Sequence, residues 1–167
     1  MIIRKGGVSL ESLTHVIAEV GLETQVAITQ LGKKHTKKES EKLEAPGQFL
    51  RHYSPDINSF LYQGELTREE LVLSKAILID FGSILADQRD KVKHYIDLSP
   101  TGDLLEAINK VYDALRWAET NEDADFILMI DILHMRDQGK LDSNCKGIEH
   151  IEALFDKLFR AASGKNA

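Results

Sequence analysis

Two stretches of this chain run apolar with almost no polar break. Ala76-Ile77-Leu78-Ile79-Asp80-Phe81 is one, and Phe126-Ile127-Leu128-Met129-Ile130, closed by Asp131, is the other. A strand with one wet face alternates apolar and polar residues, whereas a strand covered on both faces does not need to. Both runs therefore read as central strands of a parallel sheet. Parallel neighbours need long crossover connections, so the rest of the chain has to supply them.

The intervening sequence supplies them. Phe60-Leu61-Tyr62 is a short strand candidate, and residues 93–98, Lys-His-Tyr-Ile-Asp-Leu, alternate as a further strand. Thr67-Arg68-Glu69-Glu70 has the form of a capping box and predicts a helix toward Lys75. Ser99-Pro100-Thr101-Gly102-Asp103 opens the longest helix, whose stripe is Leu104, Ile108, Val111, Tyr112 and Leu115. Residues 136–146 read as a polar loop. Ile148, Ile151, Phe155, Leu158, Phe159 and Ala162 stripe a final helix, and residues 163–167 read as a frayed tail. Near the start, residues 2–5 form a short β-type run, and Ser9 caps a helix striped by Leu10, Leu13, Ile17 and Val20 that Gly21 stops.

The expected fold is α/β: a Rossmann-like three-layer domain with a mostly parallel sheet over residues 57–167. A strand-helix unit over residues 1–31 and an extended linker over 32–56 precede it. The linker holds two of the three prolines, Pro46 and Pro55, which favour extended backbone around them. Its first half carries Lys33, Lys34, His35, Lys37 and Lys38, followed at once by Glu39, Glu41 and Glu44. That pattern reads as a solvated mixed-charge stretch or as an RNA-contacting patch.

Charge and cysteine content narrow the function classes. A net charge of −6 over 167 residues argues against a surface built as a whole to grip nucleic acid. A single cysteine, Cys145, permits neither an internal disulfide nor a thiolate zinc site. No apolar run is long enough to span a membrane and no signal peptide is evident, so no membrane contact and a cytoplasmic setting are expected. The phosphate-cradling glycine loops, the serine nucleophile elbow and paired-histidine metal spacing are all missing. His15 and His150 fall on helices as partly exposed residues. No catalytic residue and no metal ligand is assigned.

Three constellations remain. Asp80, Gly82 and Ser83 lie at the carboxyl end of a central strand, where open α/β sheets place ligands. Asp131 ends its strand in the same way, and adjacent parallel strands would set it beside Asp80 as a cation-holding or mutually perturbing pair. Arg51-His52-Tyr53 is the densest polar-aromatic cluster. It offers a phosphate fork, a titrating imidazole and a stacking ring, or else it is a linker that packs its aromatic on a neighbour.

At this last cluster the sequence resembles the two-domain, Sua-type threonylcarbamoyl-AMP synthases, whose catalytic half is a YrdC-like domain. Their interdomain linker carries Pro-Gly and then Arg-His-Tyr-x-Pro, here Pro46-Gly47 and Arg51-His52-Tyr53-Ser54-Pro55. Residues 76–82, Leu98-Ser99-Pro100, Gly102-Asp103-Leu104, Ala114-Leu115-Arg116 and 156–162 resemble the second domain in the same order. Ile2-Ile3-Arg4-Lys5-Gly6 is similar to the last strand of the catalytic domain, so the resemblance implies that residues 1–31 are a remnant of the end of that domain. Gln48-Phe49-Leu50 departs from the Met and aromatic usual in the family.

The resemblance implies an accessory C-terminal domain in tRNA threonylcarbamoyladenosine modification. The full enzyme condenses threonine, bicarbonate and ATP, with magnesium, into threonylcarbamoyl-AMP and pyrophosphate. It implies that Arg4, Arg51, His52 and Tyr53 lie on the nucleotide side of a cleft that the linker caps. The catalytic domain would be a partner in cis or in trans, and this chain alone is expected to be inactive and to bind no cofactor of its own. The alternative from residue types is a standalone α/β nucleotide-binding module using Asp80, Gly82 and Ser83.

Overall fold

The computed structural model describes residue 8, residues 10–22 and residues 54–167. Helix α1 (Leu10–Glu19) forms where the apolar spacing predicts it, and Thr14 Oγ1 donates back to the Leu10 carbonyl at 2.8 Å. None of its residues is buried; Leu10, Leu13 and Ile17 are half-buried, and Val16 and Val20 are exposed.

Four strands follow: β1 (Asn58–Tyr62), β2 (Ala76–Asp80), β3 (His94–Asp97) and β4 (Phe126–Ile130). They form one parallel sheet in the order β1-β4-β2-β3. The two apolar runs are its central pair, paired from Ala76↔Phe126 to Ile79↔Met129, and all ten of their residues are buried. This is the α/β, Rossmann-like parallel arrangement expected from the sequence.

The two sheet faces are covered differently. Helices α2 (Leu104–Glu119) and α4 (Ile151–Ala161) pack on each other, with the short α3 (Ile132–Asp137) against α4. A T-shaped contact of Trp117 with His94, ring centroids 6.1 Å apart, fixes α2 over the face that carries His94, Ile96, Ile77 and Ile79. The opposite face carries Leu78, Asp80 and Tyr95. It is covered by the connection 81–93, whose Leu85 N–H bonds Asp80 and whose Arg89 lies over the Tyr95 ring. Connections that cross a sheet in opposite directions cover opposite faces because each is right-handed.

Helix α2 forms because its stripe is continuous and its first turn is capped. Asp103 accepts from the Glu106 N–H at 3.0 Å, and Leu104, Ile108, Val111 and Leu115 are buried. Burying each such side chain stabilises the fold by about 2 kcal/mol relative to exposure.

Four expectations need correction. Thr67 caps no α-helix: only a 3-10 turn at Leu73–Lys75 appears, because the Thr67 N–H and hydroxyl both bond the Ala167 carbonyl instead. The tail is not frayed. Leu61 N–H donates to Lys165 and Ala167 N–H to Leu61, adding a parallel rung outside β1 and leaving Ala167 only 4% exposed. His150 is buried rather than partly exposed, whereas His15 is exposed. Ile148, counted in the last helical stripe, stands at 47% exposure in a 3-10 turn ahead of α4.

Among the described residues no helix is long and apolar enough to cross a membrane.

Candidate functional site at the carboxyl edge of the sheet

The loops leaving β2, β3 and β4 meet at the carboxyl edge, and each is organised by an aspartate that ends its strand. Asp80 is fully buried. Its carboxylate accepts from the Phe81 N–H at 2.7 Å, the Leu85 N–H at 2.9 Å and the Tyr95 hydroxyl at 2.7 Å. Burial pushes its pKa up, and the bonds from Tyr95, Phe81 and Leu85 pull in the other direction. The Tyr95 hydroxyl is raised in turn, by burial first and then by its bond to Asp80.

Gly82 and Ser83 both have left-handed backbone, with φ of 62° and 56°. Glycine takes that conformation freely, but serine does so only where its surroundings hold it. Asp97 does the holding. Its carboxylate accepts from the Ser83 N–H at 2.7 Å, the Gly82 N–H at 3.2 Å, the Ser83 hydroxyl at 3.2 Å and the Ser99 N–H at 2.9 Å. Successive N–H groups turned to one side form the kind of concavity that binds phosphate in other α/β proteins. Here that concavity holds the chain's own carboxylate.

Ser99, fully buried, links this turn to α2. Its hydroxyl accepts from the Asp103 N–H at 3.0 Å and donates to Glu106, which also takes the Lys110 ammonium. These two bonds hold the Glu106 carboxyl below its usual range.

Asp80 and Asp131 do sit on adjacent parallel strands. The register nevertheless pairs Ile79 with Met129, so Asp131 lies one position further along, on the opposite parity. Its carboxylate accepts from Gln63 Nε2 at 2.9 Å and the His134 N–H at 3.1 Å, capping α3. The two carboxylates thus serve different loops. Among the described residues no group of three or more His, Cys, Asp or Glu is arranged to hold a metal.

A cavity of about 60 Å³ opens at this edge between Phe81, Ile84, Pro100, Leu141 and Cys145. Ligand pockets for drug-sized molecules run to roughly 300–1,000 Å³. No lysine or arginine lines this one, and Asp142 does. Burial and the nearby Asp103 and Asp142 raise the Cys145 thiol, which disfavours the reactive thiolate.

Of the residues named from the sequence, Asp80, Gly82 and Ser83 come together as one turn. Arg4, Arg51, His52 and Tyr53, and the basic run at 33–38, lie outside the described residues. Sequence reasoning missed Asp97, Tyr95 and Ser99. For Asp97 a signal existed: Asp97-Leu98-Ser99 is an Asx-turn sequence, in which the side chain bonds the N–H two residues on.

A family model described as threonylcarbamoyl-AMP synthase, C-terminal domain, matches residues 8–163. No curated protein and no solved structure matches the chain.

Proposed function

The chain belongs to the family of threonylcarbamoyl-AMP synthase C-terminal domains, and on that premise we propose that it is the accessory unit of such a synthase. In this reading it serves tRNA threonylcarbamoyladenosine modification in the cytoplasm. ATP with its magnesium, threonine and bicarbonate are condensed on a YrdC-like catalytic domain, joined in cis or met in trans. The linker 32–56 caps the nucleotide side of that cleft, and Arg4, Arg51, His52 and Tyr53 face the phosphates. Such a cap excludes water from a reactive mixed anhydride, and its cations offset phosphate charge.

The observation that carries the reading is the family match over 8–163, which includes α1, the linker and the parallel sheet. The carboxyl edge supports the same division of labour. Asp80, Asp97 and Asp131 all accept from the protein's own N–H and O–H groups and so order the loops at this edge.

The test is pyrophosphate release from ATP, threonine and bicarbonate, with this chain alone and with a separate YrdC-like domain added. No release alone and an increase on mixing is the expected result. Release by the chain alone would overturn the accessory role.

A further inference from the structure

The connection that leaves β2 crosses the face carrying Leu78 and Asp80, whereas the connection that leaves β3 becomes α2 on the opposite face. Neighbouring strands whose connections part in this way leave a crevice between their carboxyl ends, the place where open α/β sheets seat a ligand. The cavity of about 60 Å³ lies in that crevice: Phe81 and Ile84 follow β2, and Pro100 and Gly102 follow β3.

Its third wall comes from a later part of the chain. Residues 140–146, after α3, set the half-buried Leu141 and Cys145 against it. The segment is tied at its two ends. The Lys140 N–H donates to the Met135 carbonyl at 3.0 Å; the Lys146 N–H donates to the Gly102 carbonyl at 2.9 Å, and the Lys146 carbonyl accepts from the Leu104 N–H at 3.0 Å. Between these ties it bonds to itself. The Asn144 N–H donates to Asp142 Oδ1 at 2.7 Å, and the Cys145 N–H to the Asp142 carbonyl at 3.0 Å. Among the described residues, no backbone N–H of 141–145 bonds to the rest of the domain. Left-handed glycines flank the segment, Gly139 at φ 67° and Gly147 at φ 70°.

We propose that residues 140–146 form a strap that plugs this crevice with the chain's own Leu141, and that it opens without the domain unfolding. A turn held by its ends and by two half-buried side chains is a unit of low local stability. Glycines beside it absorb the change in dihedral angles. The opened crevice offers an apolar floor of Phe81, Ile84 and Pro100; the lining holds no lysine or arginine, and Asp142 stands on the strap itself. It suits a small uncharged group and disfavours an anion. The device is independent of the accessory role, because it is read on the isolated chain.

Cys145 is the only cysteine, so thiol labelling of the intact chain reports the strap alone. With dithiodipyridine, an uncharged disulfide, the thiolate attacks one sulfur and thiopyridone leaves, and that release is followed. Rates are corrected for thiolate fraction from their pH dependence. The wild-type rate is expected to lie below that of the urea-unfolded chain. It should stay nearly flat in urea below the unfolding transition, since a local opening exposes little surface. Leu141→Ala is expected to label about five-fold faster. Relative to the unfolded chain, the dianionic reagent dithiobis(nitrobenzoate) should be about three-fold slower than the neutral one.

A wild-type rate as fast as that of the unfolded chain means that the crevice stands open, and it overturns the strap. A rate that climbs with urea at the slope of global unfolding overturns it as well, because the thiol is then reached only by unfolding. Labelling of Leu141→Ala at the wild-type rate overturns Leu141 as the plug. Equal relative rates for the two reagents overturn the preference against anions.

Discussion

The Asp97 carboxylate takes the Ser83 N–H at 2.7 Å, and in doing so it occupies the turn at the end of β2 where an α/β protein would seat an anionic ligand. The bond is structural as well as obstructive. It offsets the left-handed backbone of Ser83 and joins the β2 and β3 loops. Replacing Asp97 by Ala leaves the N–H groups of Ser83 and Ser99 without their acceptor, while the Gly82 N–H keeps the Ser99 carbonyl at 3.0 Å. We expect a loss of about 2–3 kcal/mol, since charge-assisted bonds are lost and no compensating group enters. A urea titration checks this through a lower midpoint at unchanged slope.

Asp80 makes stability depend on pH in a direction opposite to that of most carboxylates. Its folded pKa is raised above the ordinary 3.8, chiefly by burial. The folded state therefore holds the proton more tightly than the unfolded state. The favourable contribution is fully present below the unfolded value and is lost as pH rises from about 4 through the elevated folded pKa. Asp80→Asn removes this titration. The urea midpoint of the variant should fall less than that of wild type as pH rises through that window, whatever its absolute stability. Equal slopes would refute the shift.

Tyr95→Phe deletes the hydroxyl that donates to Asp80 at 2.7 Å and keeps the ring under Arg89. The buried carboxylate then lacks one of its three partners. A loss of about 1–3 kcal/mol is expected, together with a still higher Asp80 pKa. Thermal unfolding at pH 5 and pH 7 measures both, with the larger deficit at pH 7.

Thr67→Val removes the hydroxyl that holds the Ala167 carbonyl while conserving shape. The expected cost is about 1 kcal/mol, or a few degrees in Tm for a domain of this size. Hydrogen exchange should localise the effect. The Leu61 and Ala167 amides, which pair with the tail, should lose protection, and the β2 amides should not.

Titration of the isolated chain with magnesium-ATP should show no saturable binding in the millimolar range. The cavity at the carboxyl edge is about 60 Å³ and is lined by Asp142 and no cation. Saturable binding abolished by Asp80→Ala would instead favour a nucleotide-binding module.

Local pattern was enough for the central strands and for α2. An unbroken apolar run such as 126–130 has no wet face to offer, and a stripe at helical spacing capped by Asp103 has one stable way to be buried. The wall of the carboxyl edge was partly legible too, since a strand-ending aspartate such as Asp80 announces itself. Its occupant was not. Whether Asp97 reaches the Gly82-Ser83 turn depends on β3 lying beside β2 in one particular register, which no window of sequence encodes. The same holds for Thr67, whose capping box is sound locally but loses to the tail carbonyl 100 residues away. Short-range preferences are worth about 1 kcal/mol, and a partner delivered by the fold competes on equal terms. Strand order and the docked tail both belong to that second kind. They exist only once segments far apart in the chain are held at hydrogen-bonding distance.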